Sequence, residues 1–241
     1  LQTTNAFARP IEGISILYDI DREAIVEITD SYADGNFPPH DVSADEYHNG
    51  ALETRAPVKP VVTSRPQGQN FSIRGGQIDW QGWQFWLRFD PRQGTVLNRV
   101  GHRTPDGLRS VAYEIAMSEM FVPYHDNNAH WFYRAYYDMG EFGFGNMATP
   151  LKGADCPAHA VFQDVTLYLP DGAPYKAARR VCIFEHDPGY PAWRHYESLY
   201  EGVPGMDIHQ SRRATELVVR MVATIGNYDY FQDYVFRQDG Q

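Results

Sequence analysis

Two parts of the sequence carry residue types that could do chemistry. One is the segment from Thr224 to Tyr230, where polar aromatic residues follow an apolar run. The other is Asp138, a carboxylate that stands among tyrosines and glycines. A partly buried carboxylate is a candidate general base, because burial brings proton uptake towards the working pH range. The alternative for Asp138 is a turn residue that caps its own backbone ahead of Gly140.

The segment around Tyr228 follows a predicted strand. An apolar run from Leu217 to Ala223, interrupted only by Arg220, is typical of a strand that is covered on both faces. Gly226 then indicates a bulge or a close backbone approach. The period of two divides the next residues between two faces: Tyr228, Tyr230 and Tyr234 on one, and Asn227, Asp229 and Asp233 on the other. A catalytic role for Tyr228 competes with a structural one, in which the tyrosines fill a core.

Composition sets the broad class of the protein. At 241 residues the chain can bury a sizeable core, as one large β domain or as two smaller domains. Aromatic residues at 14%, with 20 glycines and 16 prolines, favour many short strands joined by turns. A net charge of −10 argues against nucleic acid. It either favours cationic small molecules as partners or only keeps the protein in solution. The sequence has no apolar run of about 18 residues, so we expect no membrane span.

The first part of the chain predicts one hairpin and a long connection. Residues Ile14 to Asp30 form two short apolar runs around a polar turn at Asp21 to Glu23. The stretch from Tyr32 to Pro66 is rich in turn residues and shows no sustained period, which indicates a linker. Within it, His40 and His48 lie in an acidic segment that we interpret as a solvated loop. We therefore predict two domains, 1–55 and 56–241.

The second part predicts successive antiparallel hairpins, which are typical of a large β-sandwich. One strand is expected from Ile78 to Phe89 and another pair around the turn Thr104-Pro-Asp-Gly107. The face of Val111, Tyr113, Ile115 and Met117 predicts a half-buried hairpin there. A further hairpin joins Val165–Leu169 to Arg179–Phe184, and the stretch from Glu185 to Gly205 is predicted to be irregular. The three tryptophans of this part, Trp80, Trp83 and Trp86, either fill the core or form a platform for a sugar.

Two cysteines, Cys156 and Cys182, leave two possibilities open. They form one disulfide, or they remain two buried thiols. Asn70-Phe71-Ser72 is an N-glycosylation sequon. A disulfide and a sequon together would favour an oxidising, extracellular setting.

The pattern Thr-x-x-Asn-Tyr-Asp-Tyr at 224–230 resembles the motif of the copper amine oxidases, in which the tyrosine after the asparagine becomes topaquinone. A second likeness is the pair Tyr124 and Asp138, 14 residues apart, within Val-Pro-Tyr and Asp-x-Gly-Glu segments. Four neighbouring positions depart from the family pattern, which puts the substrate preference in doubt: His125, Asn127, Tyr137 and Phe142. The likeness extends over most of residues 9–241, with Ser211-Arg212-Arg213 ahead of the cofactor strand.

The resemblance implies a fold and a reaction. The fold is the N-terminal part of the amine oxidase β-sandwich domain, preceded by the end of a small α/β domain. The reaction is the oxidative deamination of primary amines by O2 to aldehyde, ammonia and hydrogen peroxide. Tyr228 would be the quinone precursor whose carbonyl forms a Schiff base with the amine, and Asp138 would be the proton acceptor. Tyr124 and Asn227 would hold the quinone ring, and Tyr136 would stand at the gate of the substrate channel.

The resemblance also implies partners and a disulfide. It pairs Cys156 with Cys182, and it implies a homodimer. The family binds copper through three histidines beyond the quinone tyrosine, two of them as His-x-His, and none of the nine histidines here forms such a pair. We therefore expect no metal ligands in this segment. The copper ligands are expected beyond Gln241, in the remainder of the same polypeptide.

Two other function classes stay open from the residues alone. One is a non-catalytic β-sandwich that binds carbohydrate through its tryptophans. The other is a glycoside hydrolase that uses Asp138 and Glu141 as its pair of carboxylates. Neither would contain a quinone.

Overall fold

The computed structural model describes residues 13–33, 35, 55–125, 129–132 and 134–240. The chain divides into two compact units, Leu1–Val61 with Phe121–Tyr137 and Val62–Met120 with Asp138–Gln241. The domain boundary at residue 56 remains a prediction. The acidic segment with His40 and His48 lies outside the described residues. Over the ranges given above, no helix has the length and apolar character needed to cross a membrane.

The elements are numbered in chain order. The strands are β1 (Ile14–Asp19), β2 (Ala24–Asp30), β3 (Phe71–Arg74), β4 (Gln77–Trp80), β5 (Trp83–Asp90), β6 (Gly94–Thr104), β7 (Gly107–Ile115), β8 (Phe121–Pro123), β9 (Ala135–Tyr137), β10 (Val161–Tyr168), β11 (Pro174–His186), β12 (Pro191–Tyr196), β13 (His209–Arg213), β14 (Glu216–Ile225) and β15 (Tyr228–Arg237). The helices are α1 (Ala129–Phe132) and α2 (Asp138–Phe142).

The first unit contains two antiparallel strand pairs, β1 with β2 and β8 with β9. The pairing of β1 with β2 confirms the hairpin predicted between Ile14 and Asp30. Its turn is stabilised by Asp19, whose Oδ1 accepts a hydrogen bond from the backbone N–H of Arg22 at 2.9 Å. In the second pair, Phe121 lies opposite Tyr137 and Pro123 lies opposite Ala135.

The second unit begins with a five-stranded antiparallel sheet in the order β3-β4-β5-β6-β7. The prediction of one strand from Ile78 to Phe89 is wrong, because the chain turns at Gln81 and Gly82 and Trp80 then pairs with Trp83. Large apolar residues flank this turn on both sides, so the apolar pattern alone does not distinguish two short strands from one long strand. The turn predicted at Thr104 to Gly107 is confirmed, since these two residues pair at the ends of β6 and β7.

The hairpin of β6 and β7 is buried mainly through β6. Val96, Leu97 and Val100 of β6 are buried, as the prediction of a half-buried hairpin requires. The alternating apolar residues of β7 instead point outward, and Tyr113 is 82% exposed. Ala112 is the residue of β7 that packs on the core. The predicted alternation along β7 is therefore present, but the face that carries Val111, Tyr113 and Ile115 is exposed and the opposite face packs on the core.

The second sheet of this unit has four antiparallel strands in the order β10-β11-β14-β15. The pairing of β10 with β11 confirms the second predicted hairpin. Strand β14 is buried on both faces, as predicted: Leu217 and Val219 belong to one apolar cluster, and Val218 and Val222 belong to another.

The bulge predicted at Gly226 is wrong, because the chain reverses direction there. Ile225 pairs with Tyr228, so Gly226 and Asn227 form a two-residue hairpin turn between β14 and β15. The φ of Gly226 is 59°. A positive φ at the first central residue is the requirement of a type II′ turn, which glycine meets without strain.

The stretch from Glu185 to Gly205, predicted to be irregular, contains regular structure. Strand β11 continues through His186, and β12 pairs with β13 as a separate two-stranded ribbon. Stacking of Tyr196 on His209, with ring centroids 4.0 Å apart, stabilises the ribbon. Both of its strands are exposed along their whole length, so it has no burial pattern that a sequence could display.

The two larger sheets pack face to face, which confirms the predicted antiparallel β-sandwich. One core cluster contains residues of both sheets, and Phe85 of β5 stacks on Phe236 of β15 with ring centroids 4.3 Å apart. Trp80 and Trp83 are buried in this core, whereas Trp86 is 39% exposed. Trp80 and Trp83 therefore fill the core, and the three tryptophans do not form a common sugar platform.

A buried carboxylate connects the two sheets. Glu185 of β11 is 1% exposed. It accepts hydrogen bonds from the backbone N–H of Asn70 (3.0 Å), from Asn70 Nδ2 (2.9 Å) and from Trp80 Nε1 (2.8 Å). Burial acts to raise the pKa of Glu185, but these donors and the nearby Arg65 guanidinium hold it below its usual value.

Cys156 and Cys182 form a disulfide, which confirms the pairing that the family resemblance implied. The bond closes a loop of 26 residues against the outer face of the four-stranded sheet. Leu151, Phe184 and Val218 are buried in the same cluster.

Candidate active site

The candidate base, Asp138, lies at the start of the short helix α2, directly after β9. Its side chain is buried at 4% exposure. Its backbone N–H donates a hydrogen bond to the carbonyl of Met120 at 2.9 Å. A buried carboxylate needs a hydrogen-bond donor, because an unpaired charge in an apolar environment is strongly unfavourable.

Tyr230 supplies that donor. Its hydroxyl donates a hydrogen bond to Oδ2 of Asp138 at 2.5 Å, across 92 residues of sequence. The hairpin of β14 and β15 makes this contact possible, because Tyr230 pairs with the buried Ala223 and has the inward orientation of its strand. The contact joins the two parts of the sequence that were identified by residue type.

Tyr228 begins β15, and its ring lies beside that of Tyr230. The two ring centroids are 6.3 Å apart at an interplanar angle of 44°. This contact agrees with the predicted common face of the alternate tyrosines. Tyr228 is 47% exposed. Tyr228 is thus a half-exposed phenol next to the tyrosine that bonds the buried carboxylate of Asp138.

The wall behind Tyr230 is apolar and rich in methionine. It consists of Met117, Met120, Met139, Phe144, Met147, Met221, Ala223 and Ile225. Five of the six methionines of the chain thus meet in one cluster. Methionine side chains are flexible and polarizable, so this wall can adapt to the shape of a neighbouring group.

A second carboxylate supports the loop that carries Asp138. Glu119 accepts backbone hydrogen bonds from Met120 and Gly140, each at 2.9 Å, and forms an ion pair with Arg92 at 2.8 Å. Partial burial acts to raise the pKa of Glu119, but the backbone donors and Arg92 hold it below its usual value. The sequence did not predict this role for Glu119, because a sequence motif does not show which backbone N–H groups a side chain will bind.

The segment after α2 is held close to the end of β5. Phe144 and Asn146 donate backbone hydrogen bonds to the carbonyls of Arg92 and Pro91, each at 2.8 Å. A Cβ atom at Gly145 would lie 2.0 Å from the carbonyl oxygen of Asp90. Only glycine fits at this position, so Gly145 fixes how closely the loop can approach the strand.

Side-chain contacts on the outer face of β14 and β15 stabilise the register in which these two strands pair, and this register orients the tyrosines. Arg220 forms a bidentate ion pair with Asp233 at 2.8 and 2.6 Å and donates to the carbonyl of Asp155 at 2.8 Å. Asp229 accepts a hydrogen bond from the hydroxyl of Thr224 at 2.6 Å. These contacts place Asp229 and Asp233 on the face opposite the tyrosines, as predicted.

The other predicted site residues are located in different places. Asn227 lies in the turn that precedes Tyr228. Tyr124 and Tyr136 belong to the first compact unit, where their ring centroids are 6.1 Å apart at 86°. The Tyr124 ring also packs on Trp131 at 5.0 Å, and its backbone N–H donates to Arg134 at 3.0 Å. These contacts fix Tyr124 and Tyr136 relative to each other.

Three histidines of the described residues each pair with a single carboxylate or an aromatic ring and do not gather into a ligand set. Across the described ranges, no group of three or more His, Cys, Asp or Glu side chains could hold a metal ion. His186 pairs with Glu216 at 3.3 Å, and His209 pairs with Asp207 at 3.1 Å. His195 lies against Trp193, with ring centroids 6.1 Å apart. The described residues therefore do not fit a copper site of their own.

The two rival functions find no support in this geometry. The hydrolase would use Asp138 with Glu141, but Oδ2 of Asp138 is bonded to Tyr230 and Glu141 is exposed on the same short helix. The carbohydrate-binding module would need its tryptophans at the surface, and two of them are buried.

Comparison with known proteins identifies relatives along the whole chain. Residues 72–241 match the family model described as copper amine oxidase, enzyme domain. The chain is 36% identical to the copper-containing amine oxidase gamma 2 of Arabidopsis thaliana, over 99% of this chain and 35% of that protein. It is 37% identical to the peroxisomal copper-containing amine oxidase alpha 2 of the same plant, again over 99% and 35%. The chain thus spans about a third of the length of these curated relatives.

A solved structure has the same fold. The copper-containing benzylamine oxidase from Hansenula polymorpha aligns with a TM-score of 0.75 at 26% identity. The alignment covers 95% of this chain and 36% of that one.

Proposed function

Because the chain belongs to the copper amine oxidase family, we propose that it is part of an enzyme that oxidises primary amines with O2. The products are an aldehyde, ammonia and hydrogen peroxide. The observation that supports this proposal is that Tyr230 contacts both the ring of Tyr228 and the carboxylate of Asp138, the residues that match the family's quinone and base positions. The whole activity requires the rest of the polypeptide, since the copper ligands are expected outside the described residues.

The proposed cofactors are copper and a topaquinone derived from Tyr228. The quinone supplies an electrophilic carbonyl for the amine and accepts two electrons. The half-exposed position of Tyr228 beside Tyr230 supports this assignment.

Asp138 acts as the general base, removing a proton from the carbon next to the amine nitrogen. A base must come within about 3 Å of the proton that it takes. The hydrogen bonds to Met120 and Tyr230 support this role, because they fix the backbone and one oxygen of the carboxylate. The methionine wall packs against Tyr230, so the donor of the second hydrogen bond lies in an apolar environment.

Three further residues complete the proposed site. Tyr124 and Asn227 hold the orientation of the quinone ring, since proton transfer depends on alignment. Tyr136 stands at the entrance of the substrate channel, and its edge-on contact with Tyr124 supports a joint role for the two rings. A net charge of −10 supports a cationic substrate, because it raises the local concentration of ammonium groups.

The proposed assembly is a homodimer of the full polypeptide in an oxidising, extracellular setting. The disulfide between Cys156 and Cys182 supports the setting, because such bonds persist outside the reducing cytosol. Sedimentation of the full-length protein and localisation of a tagged copy would test these two points.

The activity is tested with full-length, copper-loaded protein and benzylamine, the substrate class in the name of the yeast relative. We expect Asp138→Asn to lower turnover by about 100-fold to 10,000-fold, the usual contribution of a general base. Glu141→Gln is the matched control, an exposed acid on the same helix, and should leave turnover unchanged. Wild-type turnover in Asp138→Asn would remove Asp138 from its role, and an equal loss of turnover in Glu141→Gln would show that the effect is not specific to Asp138.

A further inference from the structure

We propose that Tyr230 is a positioning residue that holds the carboxylate of Asp138 in the orientation needed for proton removal. This inference rests on the proposed function, and it assigns to Tyr230 a role in the same site. Two observations support it: the hydrogen bond to Asp138 and the contacts that restrain the Tyr230 ring.

The hydrogen bond is a short contact between a phenol and a buried carboxylate. The hydroxyl of Tyr230 lies 2.5 Å from Oδ2 of Asp138. A hydrogen bond to an ionised group is shorter and about twice as strong as one between neutral groups. Burial of Asp138 strengthens the contact further, since water does not compete for the carboxylate.

The ring of Tyr230 is restrained on both sides. Its centroid lies 6.2 Å from that of Phe144 at 66° and 6.3 Å from that of Tyr228 at 44°. Its backbone is paired with Ala223 in the sheet. The hydroxyl is therefore held in place before any substrate arrives, which is the property that a positioning group needs.

The two oxygens of Asp138 then have different tasks. Among the described residues, Oδ2 is the oxygen that accepts a side-chain hydrogen bond. In this proposal Oδ1 is therefore the oxygen that takes the proton from the substrate. Oδ1 would accept the proton as the C–H bond breaks, and the quinone of the proposed function would be the oxidant that takes up the two electrons of that bond. Tyr230 keeps its own proton throughout. Without Tyr230 the carboxylate can rotate, so that Oδ1 spends less time aligned with the C–H bond.

Tyr234 provides a matched control on the same strand face. Its hydroxyl donates a hydrogen bond to the carbonyl of Thr95 at 2.9 Å, and burial raises its pKa to about 12. Tyr234→Phe removes a partly buried hydroxyl from β15, as Tyr230→Phe does, but leaves Asp138 untouched. A loss of packing or stability would affect both variants, whereas a loss of positioning would affect only Tyr230→Phe.

The experiment uses full-length, copper-loaded enzyme with benzylamine and its α-dideuterated form. A misplacement of about 1 Å in a reacting group lowers rates by about 100-fold. We expect Tyr230→Phe to lower kcat by about 10-fold to 100-fold with little change in KM, and to increase the deuterium isotope effect on kcat. Tyr234→Phe should retain wild-type values of all three. The quinone content, titrated with phenylhydrazine, normalises each rate to active sites.

A double-mutant cycle with Asp138→Asn separates positioning from a structural role. If Tyr230 acts through Asp138, Tyr230→Phe should have no further effect on the residual rate of Asp138→Asn. An equal loss in both backgrounds would overturn the inference, and so would an equal loss in Tyr234→Phe. Wild-type kinetics in Tyr230→Phe would overturn it while leaving the proposed function intact. A wild-type enzyme without quinone or amine turnover would overturn both.

Discussion

The buried carboxylate between the two sheets gives a prediction whose magnitude follows from its contacts. Glu185→Gln preserves the shape of the side chain but replaces one oxygen with an NH2 group. With the oxygen kept at Oε1, the bonds from Trp80 Nε1 and Asn70 Nδ2 survive. The NH2 group then faces the backbone N–H of Asn70, which had donated to Oε2. The backbone N–H of Asn70 and the new NH2 group are then both donors, so at least one partly buried donor loses its acceptor, at a cost of about 1 to 3 kcal/mol.

The two surviving hydrogen bonds also become weaker, by about 1 kcal/mol each, because their acceptor is no longer charged. The neutral side chain is easier to bury, which offsets part of this loss. We therefore expect Glu185→Gln to lower the free energy of unfolding by about 2 to 4 kcal/mol at pH 7.

The effect should depend on pH in one direction. The folded pKa of Glu185 is lowered, so its charge contributes stability above the unfolded pKa of about 4.3, and this contribution is lost as pH falls through the folded pKa. The difference between wild type and Glu185→Gln should thus be largest at pH 7 and should shrink below about pH 4. Urea unfolding followed by tryptophan fluorescence measures it, with the exposed Glu201→Gln as a control expected to stay within about 0.5 kcal/mol of wild type. Equal stability at pH 7, or a difference that persists unchanged in acid, would refute this reasoning.

Two further predictions concern the scaffold of the site. Replacing both Cys156 and Cys182 by Ala should lower the free energy of unfolding by about 3 to 4 kcal/mol, since the bond closes a 26-residue loop; urea midpoints that match those of the oxidised wild type would contradict this. Gly145→Ala should reduce both the soluble yield and the amine turnover of the full-length enzyme, because its Cβ would meet the carbonyl oxygen of Asp90. Gly153→Ala is the control, since a Cβ there would meet no atom within 4 Å. An equal loss in both variants would show that the close contact between Gly145 and the end of β5 does not explain the effect.

The sequence predicted the parts of the fold that have local signals. The turn at Thr104 to Gly107 contains Pro and Gly, whose backbone preferences act over a few residues. The burial of β14 on both faces was visible in its apolar run. The alternation of tyrosines on β15 was equally local, and the contact between Tyr228 and Tyr230 agrees with it.

The parts that could not be predicted depend on long-range pairing. The bond from Tyr230 to Asp138 crosses 92 residues, and no local pattern specifies which strand face meets which loop. The turn at Gly226 was missed because a glycine within an apolar-to-aromatic run is equally typical of a bulge. The ribbon of β12 and β13 was missed because cross-strand stacking stabilises it without burying either face.

The central claim is that Tyr228 becomes an electrophilic quinone. The most direct measurement treats the full-length, copper-loaded protein with phenylhydrazine and analyses the peptide that contains Tyr228 by absorbance and mass. The account predicts a coloured peptide with an added phenylhydrazine-derived mass, and predicts its absence in Tyr228→Phe. A Tyr228 peptide of unmodified mass in the copper-loaded wild type would contradict the account.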